Sequence, residues 1–172
     1  MSGDVRIATG NAGKVALLGG YLTAAGFQPR MADPGDAEDR AETGYRPAVL
    51  AKLAGVPEAG PPVVAHDSGF EFACLGGEPG PRTKAWLAST DDVRRELVPG
   101  TGVRVVHCVG LRFGSQTLTF LDHDDRIVPE QFLPEDSDLP LTNCFVGPRD
   151  SLARLMGRVA ARLAERTTAD FE

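Results

Sequence analysis

In the first third of the chain, short apolar runs of the length of strands are followed by segments in which apolar residues recur at the spacing of a helix face. This pattern predicts alternating strands and helices. Val15, Leu18 and Leu22 recur at the spacing of a helix face, and Gly26 after them is a typical helix stop. Short apolar runs on either side have the length of strands. The sequence therefore predicts a strand over 5–8, a helix over 15–25, a strand over 27–32, a helix over 45–54 and a strand over 62–66, with 67–69 at its end and an extended segment over 70–75 after it.

The rest of the chain has longer apolar runs and one long amphipathic segment. Two runs around Gly114 and Ser115 indicate a β-hairpin, and an apolar stripe near the end indicates a closing helix. Because strands and helices first alternate and antiparallel strands follow, we expect an α/β fold with a mixed central sheet flanked by helices, in a single domain over 1–172. The further predicted elements are a helix over 91–98 capped by Thr90, strands over 102–113 and 116–122, and a helix over 151–166 capped by Asp150.

Composition and charge narrow the function classes. Of the 172 residues 42% are hydrophobic, which is enough for a substantial core, and the formal net charge is −6. An acidic chain is a poor nucleic-acid binder, although a small phosphate ligand needs only a local cluster of cations. Cys74, Cys108 and Cys144 form no paired motif and are expected to be free thiols. No apolar run reaches the length of about 18 residues that a membrane span needs, and no signal-peptide core follows Met1, so we expect a cytoplasmic protein without a membrane partner.

The turn after the first strand has features of a phosphate-binding loop. Thr9, Asn11 and Lys14 follow the strand within a glycine-containing turn, and the next helix starts there. Free backbone N–H groups and the positive end of the helix dipole attract anions at such places. The same residues also fit an ordinary strand-to-helix turn with a solvated Lys14, and the spacing alone does not decide between the two.

Charged side chains near the following strand could complete a metal and phosphate site. Asp67 is predicted at the end of an apolar strand, in the kind of crevice where α/β sheets bind ligands, although an Asx-turn would also place an aspartate there. Glu42 and Lys52 flank the second helix; brought near Asp67 they would form such a site, but both could instead be solvated. Arg82 and Lys84 follow a Gly/Pro-rich loop that could close over a triphosphate.

Taken together, these segments resemble the inosine-triphosphate-pyrophosphatase (HAM1-like) family. In that family a turn with asparagine and lysine, a Glu-Thr-Gly, a helix lysine, an Asp-Ser-Gly and a Leu-Gly-Gly-x-Pro-Gly follow one another. Each motif alone is loose, but their common order is specific. The matching parts of this chain are the turn over 9–14, the tripeptides at 42–44 and 67–69, Lys52 between them, and the segment over 75–80.

The resemblance implies a nucleoside triphosphate pyrophosphatase, which cuts its substrate between the α and β phosphates and releases the monophosphate and pyrophosphate. It also implies two lobes with a cleft between them, a homodimer, and Mg²⁺ as the cofactor. Glu42 and Asp67 would bind the metal, Asp67 would also activate the attacking water, and Lys52 would contact phosphate. The residues expected to bind the substrate are Thr9, Asn11, Lys14, Ser68, Gly69, Arg82, Lys84 and Arg149.

The second half of the chain departs from the family pattern. The family's Phe-Gly-Tyr-Asp-Pro and Ser-His-Arg segments, which help to recognise the purine base, are absent, and the nearest stretches are 143–147 and 148–151. His66 stands in place of an acid, and Lys84 in place of an arginine, whose bidentate fork a lysine cannot reproduce. We therefore expect pyrophosphatase chemistry on a non-standard or modified nucleotide. The alternative is a catalytically silent nucleotide-binding protein on the same fold.

Overall fold

The fold is that of a computed structural model, which describes residues 3–39, 44–132 and 141–169. Glu42, predicted as a metal ligand, lies outside the described residues. Short 3₁₀ turns occupy Gly35–Asp39, Ala73–Leu75 and Leu141–Asn143. The helices and strands are β1 (Asp4–Ala8), α1 (Ala12–Ala24), β2 (Gln28–Ala32), α2 (Tyr45–Gly55), β3 (Val63–Phe72), β4 (Pro79–Gly80), α3 (Thr83–Ser89), α4 (Val93–Glu96), β5 (Gly102–Phe113), β6 (Gln116–Ile127) and α5 (Ser151–Ala169).

The strands form one mixed sheet in the order β2-β1-β3-β5-β6, with the short β4 paired to β3. The first three strands are parallel, because helices connect them, and β3, β5 and β6 are antiparallel. The predicted α/β class with a mixed central sheet flanked by helices is therefore confirmed. In the described part of the chain, no helix is both long and apolar enough to cross a membrane.

One face of the sheet is covered by α1 and α5, and we call it the α1/α5 face. Val64 of β3 belongs to this layer, and it packs with Leu18 of α1 and with Leu155 and Val159 of α5. The stripe predicted for the closing helix is thus the stripe that is buried. Residues of β3 at even spacing from Val64 lie on the same face, because side chains alternate along a strand.

The opposite face is covered by α2, and we call it the α2 face. Val49 and Leu53 of α2 pack there with Ala65 of β3. The helix lies very close to the sheet at Gly110, where a Cβ would meet Val49 Cγ1 at 2.3 Å and Leu53 Cδ1 at 2.8 Å. Only a glycine therefore allows this approach, and the approach sets the depth of α2.

A third cluster closes the far end of the sheet, where β3 ends. Phe72 is fully buried and its ring lies 5.6 Å from those of Phe145 and Trp86, measured between ring centroids. The partly buried indole of Trp86 thus packs against the core from α3. This cluster joins the described segment after residue 140 to the hairpin.

Two predicted boundaries are wrong, and long-range pairing explains the first. Asp67 does not end a strand, because β3 continues to Phe72 and every one of its residues from Val63 onward is paired with β5. β1 pairs in parallel with β3 at Val63 and Val64, and Asp67 lies beyond this paired part of the strand. The hairpin strand β6 likewise continues beyond the predicted residue 122, to Ile127.

The predicted helix over 91–98 is replaced by two short helices, α3 before it and α4 within it. Thr90 does not cap a helix start: its hydroxyl donates to the Trp86 carbonyl oxygen at 2.7 Å, which closes the end of α3. Asp92 caps α4 instead, by accepting from the backbone N–H of Arg94. A Thr-Asp-Asp sequence offers several capping side chains, and the spacing pattern did not separate them.

The last helix starts after Asp150 as predicted, but a carboxylate from another strand accepts the hydrogen bonds of its first backbone N–H groups. Asp124 of β6 accepts hydrogen bonds from the backbone N–H of Ser151 at 3.1 Å and from its hydroxyl at 2.6 Å. Burial alone would raise the pKa of Asp124, but these bonds and those from Arg126 outweigh it and lower the pKa. The contact locks α5 to the edge strand, and only the folded sheet brings its partners together.

Candidate active site

The turn between β1 and α1 is organised by its own side chains. Asn11 is the N-cap of α1, and its Oδ1 accepts from the backbone N–H groups of Gly13 at 2.8 Å and Lys14 at 3.2 Å. The N–H of Asn11 in turn donates to Oγ1 of the buried Thr9 at 3.1 Å. Some of the backbone amides expected to meet an anion are therefore already bonded to side chains of the turn. The side-chain amide nitrogen of Asn11, Nδ2, and the ammonium of Lys14 are the groups best suited to a phosphate.

The central feature of the site is a buried ion pair between α2 and β3. Lys52 Nζ donates to Asp67 Oδ1 at 3.1 Å and to the His66 carbonyl oxygen at 3.1 Å. Lys52 is 2% exposed and Asp67 7% exposed, so both charges are withdrawn from water. The predicted proximity of these two residues is therefore present in the structure. The other carboxylate oxygen, Asp67 Oδ2, is buried without a hydrogen-bond partner among the described residues.

A buried arginine holds the end of the helix that carries Lys52. The guanidinium of Arg112, on β5, donates to the carbonyl oxygens of Leu53, Val56 and Pro57 at the end of α2. A helix leaves its last carbonyls without internal partners, and a cation at that end also suits the helix dipole. Arg112 thus fixes the position from which Lys52 reaches Asp67. No local pattern predicts the role of this arginine, because it lies more than fifty residues away from the end of α2 that it contacts.

Ser68 and Gly69 take different places. Ser68 lies on the α1/α5 face, directly opposite His107 of β5. Gly69 is required by the close crossing of β4, because a Cβ there would lie 2.2 Å from the Gly80 carbonyl oxygen and 2.9 Å from the Tyr45 hydroxyl. The glycine of the Asp-Ser-Gly motif therefore packs the Gly/Pro loop against β3, and its predicted contact with substrate stays a prediction.

The described contacts of the candidate arginines lie away from the Lys52–Asp67 pair. Arg82 pairs with Glu78 at 2.7 Å on the exposed Gly/Pro loop, and Arg149 donates to the Asn143 carbonyl oxygen at 2.7 Å. Lys84 is exposed on α3. An open cavity of about 320 Å³ is formed by this loop and is lined by Gly44, Glu71, Gly76, Gly77, Glu78, Pro79, Gly80, Pro81 and Arg82.

The donor atoms present fit a hard cation only in part. Asp67 Oδ2 is an anionic oxygen without a partner, which is the kind of ligand that Mg²⁺ prefers. Within 3–39, 44–132 and 141–169, no group of three or more histidine, cysteine, aspartate or glutamate residues is placed to hold a metal ion. Glu42, the second expected ligand, is not among those residues. The site therefore supplies one fitting carboxylate, and a metal would need further oxygens from the substrate.

A pair of histidines on the other face of the sheet was not foreseen. His66 Nε2 and His107 Nδ1 are 3.0 Å apart, and the rings are stacked with centroids 5.3 Å apart. Burial, the neighbouring imidazole of His107 and the charges of Lys14 and Lys52 lower the pKa of His66 well below its ordinary value. Burial, partly opposed by Asp124, lowers the pKa of His107 to about 4. Finding this pair from sequence would have required the register of β3 on β5.

Comparison with known proteins gives the chain its family and its fold. The model of the Ham1 family matches residues 5–104. A curated relative from Symbiobacterium thermophilum named dITP/XTP pyrophosphatase is 37% identical over 91 residues, which are 51% of this chain and 46% of the relative. One of the same name from Deinococcus radiodurans is 35% identical over 95 residues, which are 55% of this chain and 48% of the relative. The chain thus matches about half the length of these relatives.

Solved structures extend the likeness to the whole fold. The Ham1 protein of Staphylococcus aureus has a TM-score of 0.56 at 14% identity and covers 92% of this chain and 99% of its own. The nucleoside-triphosphatase / dITP/XTP pyrophosphatase of Mycobacterium abscessus has a TM-score of 0.61 at 19% identity and covers 94% of this chain and 97% of its own. At such identities the likeness concerns the fold alone. Since the family model spans more than half of the chain and includes the turn, Lys52 and Asp67, the chain belongs to the Ham1 family.

Proposed function

We propose that this protein hydrolyses a non-standard or modified nucleoside triphosphate to the monophosphate and pyrophosphate with the help of a divalent cation, Mg²⁺. The observation that carries the proposal is the buried Lys52–Asp67 pair with its unpartnered Oδ2. Withdrawing two charges from water costs several kcal/mol per ion, about as much as their attraction returns, so such a pair is weak evidence for a stabilising role. A buried carboxylate with one oxygen in a hydrogen bond and the other without one is instead suited to binding and activating a ligand through the second oxygen.

The two oxygens of Asp67 can be given separate tasks. Oδ1 is held by the Lys52 ammonium, which fixes the rotation of the carboxylate. Oδ2 is then the oxygen left to contact a divalent cation and to accept a hydrogen from the attacking water, which it orients. The water oxygen forms a bond to the α-phosphorus while the bond from that phosphorus to the α–β bridging oxygen breaks. Pyrophosphate leaves with the bridging oxygen, and the proton of the water passes to Oδ2.

The remaining groups bind the charged substrate. The triphosphate would lie at the turn that contains Thr9, Asn11 and Lys14, where the start of α1 favours anions. When bound, a divalent cation held by Asp67 and Glu42 would neutralise charge on the phosphate chain and favour ionisation of water at neutral pH. The positive charge of Lys52 adds to this neutralisation from the opposite side of the carboxylate.

The base remains the least determined part of the substrate. Relatives named dITP/XTP pyrophosphatase support a purine with a keto group as one candidate. The family match ends at residue 104, however, and the base-recognition segments expected after it are absent. We therefore propose a base that differs from hypoxanthine and xanthine.

A homodimer and a cytoplasmic location, both implied by the resemblance, stay predictions; light scattering of the purified chain tests the first.

Pyrophosphate release across a nucleotide panel tests the proposal. The panel holds ITP, dITP, XTP, the common nucleoside triphosphates and base-modified triphosphates, each with Mg²⁺. We expect turnover of at least one member and a loss of about 100-fold or more in Asp67→Asn, because a positioned general base contributes about that much. Asp125→Asn is the matched control, since this carboxylate has the same charge and lies at an exposed position of β6.

The outcome decides on the role of Asp67, on the base of the substrate, and between hydrolysis and silent nucleotide binding. Turnover that Asp67→Asn retains would contradict the role of Asp67. Preference for ITP at an efficiency typical of the common family substrates would contradict the altered base. Binding of nucleotide without turnover of any member would support the silent nucleotide-binding protein instead.

A further inference from the structure

Two buried side-chain atoms have no hydrogen-bond partner among the described residues, and they belong to neighbouring positions of β3. They are Asp67 Oδ2 and His66 Nδ1. Because side chains alternate along a strand, they face opposite sides of the sheet. The proposed chemistry uses the first and leaves the second unexplained. A buried polar atom left without a partner costs about 1–3 kcal/mol, so His66 Nδ1 points to a ligand that satisfies it.

His66 is placed beside the turn that is expected to hold phosphate. Ile7 of β1 is in register with Val64 of β3, and Thr9, the first residue of the turn, follows Ile7 at the same spacing as His66 follows Val64. The charge of Lys14 in the same turn acts on the His66 ring. His66 itself is 4% exposed, so its ring is packed among protein atoms and is not a mobile surface group.

The partner of His66 determines what its free nitrogen can do. His66 Nε2 and His107 Nδ1 lie 3.0 Å apart, so that one of these two nitrogens donates a hydrogen bond and the other accepts it. If His107 Nδ1–H donates, His66 must carry its hydrogen on Nδ1 and is a donor there. If His66 Nε2–H donates, its Nδ1 is an acceptor. A phosphate oxygen only accepts, and it would therefore select the first arrangement.

We propose that His66 Nδ1 donates a hydrogen bond to a phosphate oxygen of the ligand held at the turn between β1 and α1, and that His107 Nδ1–H donates to His66 Nε2 when this ligand is bound. The inference rests on the proposed function in one respect, that the ligand carries a polyphosphate. Protein atoms cover Nδ1, so the side chains around it shift slightly when the contact forms. A carboxylate, which the resembled family has at this position, would repel the same oxygen, so the contact is a property of this chain.

Binding of inorganic tripolyphosphate by calorimetry tests the inference without turnover. The amide of asparagine occupies about the place of histidine Nδ1, whereas the amide of glutamine occupies about the place of Nε2. We therefore expect His66→Gln to raise the Kd about 10-fold or more, as loss of a hydrogen bond to a charged group predicts, and His66→Asn to stay within about 3-fold of the wild type. His123→Asn, on the exposed edge strand, is the matched control.

A second measurement on the unaltered protein covers the case in which a variant does not fold. The chain has three histidines, so ¹⁵N imidazole spectra are simple to assign. Adding tripolyphosphate should shift His66 Nδ1 to the protonated, hydrogen-bonded range and leave His123 unchanged. Unchanged His66 signals at saturating tripolyphosphate would overturn the inference.

The results also separate this inference from the proposed function. Equal weakening in His66→Asn and His66→Gln would assign the effect to ring packing and overturn the inference, as would unchanged affinity in His66→Gln. Either result combined with pyrophosphate release by the wild type would leave the proposed function standing. Selective weakening in His66→Gln without turnover of any nucleotide would support the phosphate contact and count against the hydrolase.

Discussion

Removing the ammonium of Lys52 would leave a buried carboxylate without its partner. Lys52→Met keeps a long unbranched side chain but removes the charge and both hydrogen bonds, to Asp67 Oδ1 and to the His66 carbonyl oxygen. Since Asp67 is 7% exposed, water cannot simply replace the lost ammonium. The variant should therefore lose stability as well as activity.

The size of the loss follows from the burial of the pair. Breaking a buried ion pair by removing one partner costs about 3–5 kcal/mol, because the remaining charge stays buried and uncompensated. A domain is typically stable by about 5–15 kcal/mol, so this loss is a large share of the total. With a urea dependence of about 2 kcal/mol per M, the unfolding midpoint should fall by about 2 M.

Urea unfolding of three variants, compared with the wild type, measures the effect and its origin. Arg95→Met removes a positive charge from an 83% exposed side chain and should change the midpoint little. Asp67→Asn in the Lys52→Met background removes the isolated charge, so the double variant should be more stable than Lys52→Met alone. If Lys52→Met unfolds at the same midpoint as Arg95→Met, or if Asp67→Asn does not recover stability, the argument from burial is refuted.

Three further predictions concern packing, metal and pH. Gly110→Ala should destabilise the fold by about 1–3 kcal/mol in urea unfolding, since its Cβ would clash with Val49 and Leu53, while Gly157→Ala, which meets nothing within 4 Å, should not. EDTA should abolish pyrophosphate release and added Mg²⁺ should restore it; activity that survives EDTA would contradict a metal requirement. The pKa of His107 falls from 6.5 to about 4 on folding, chiefly through burial, so the unfolded chain binds the proton first and folding stability should decrease as the pH falls from 6.5 to 4. His107→Asn should remove this contribution of about 3 kcal/mol and leave only the part that comes from His66, whose pKa burial also lowers; an unchanged pH profile in that variant would contradict the prediction.

The elements that could be predicted from sequence are those whose signals are local. The existence of α1 and α2 follows from apolar spacing, and Gly26 marks the end of α1, but α1 starts at Ala12 rather than at the predicted residue 15 because Asn11 caps it there. The unbroken course of β3 through Asp67 could not be predicted in this way, because its partner β5 begins thirty residues after β3 ends. The carboxylate of Asp124 at the start of α5 is missed for the same reason, since the helix is capped from another strand.

The same distinction applies to the candidate site. Lys52 and Asp67 are both members of the charged site that the sequence predicts, and their contact is present because α2 lies on the sheet at the depth that Gly110 permits. The His66–His107 contact carries no local signal. Two histidines forty-one residues apart gain meaning only when an antiparallel register sets them side by side.

The register of β3 on β5 therefore decides which face of the sheet each of the two candidate groups occupies. His66 lies across from Val109 on one face and Asp67 across from Cys108 on the other. A slip by one residue would exchange the faces, placing the carboxylate beside the α1 turn and the imidazole under Lys52. The carboxylate would then repel phosphate, and the ammonium would lose its counter-ion. The apolar neighbours Val64 and Ala65 oppose such a slip, since each is buried in a different helix layer, so the packing that stabilises the sheet also directs an imidazole to one face and a carboxylate to the other.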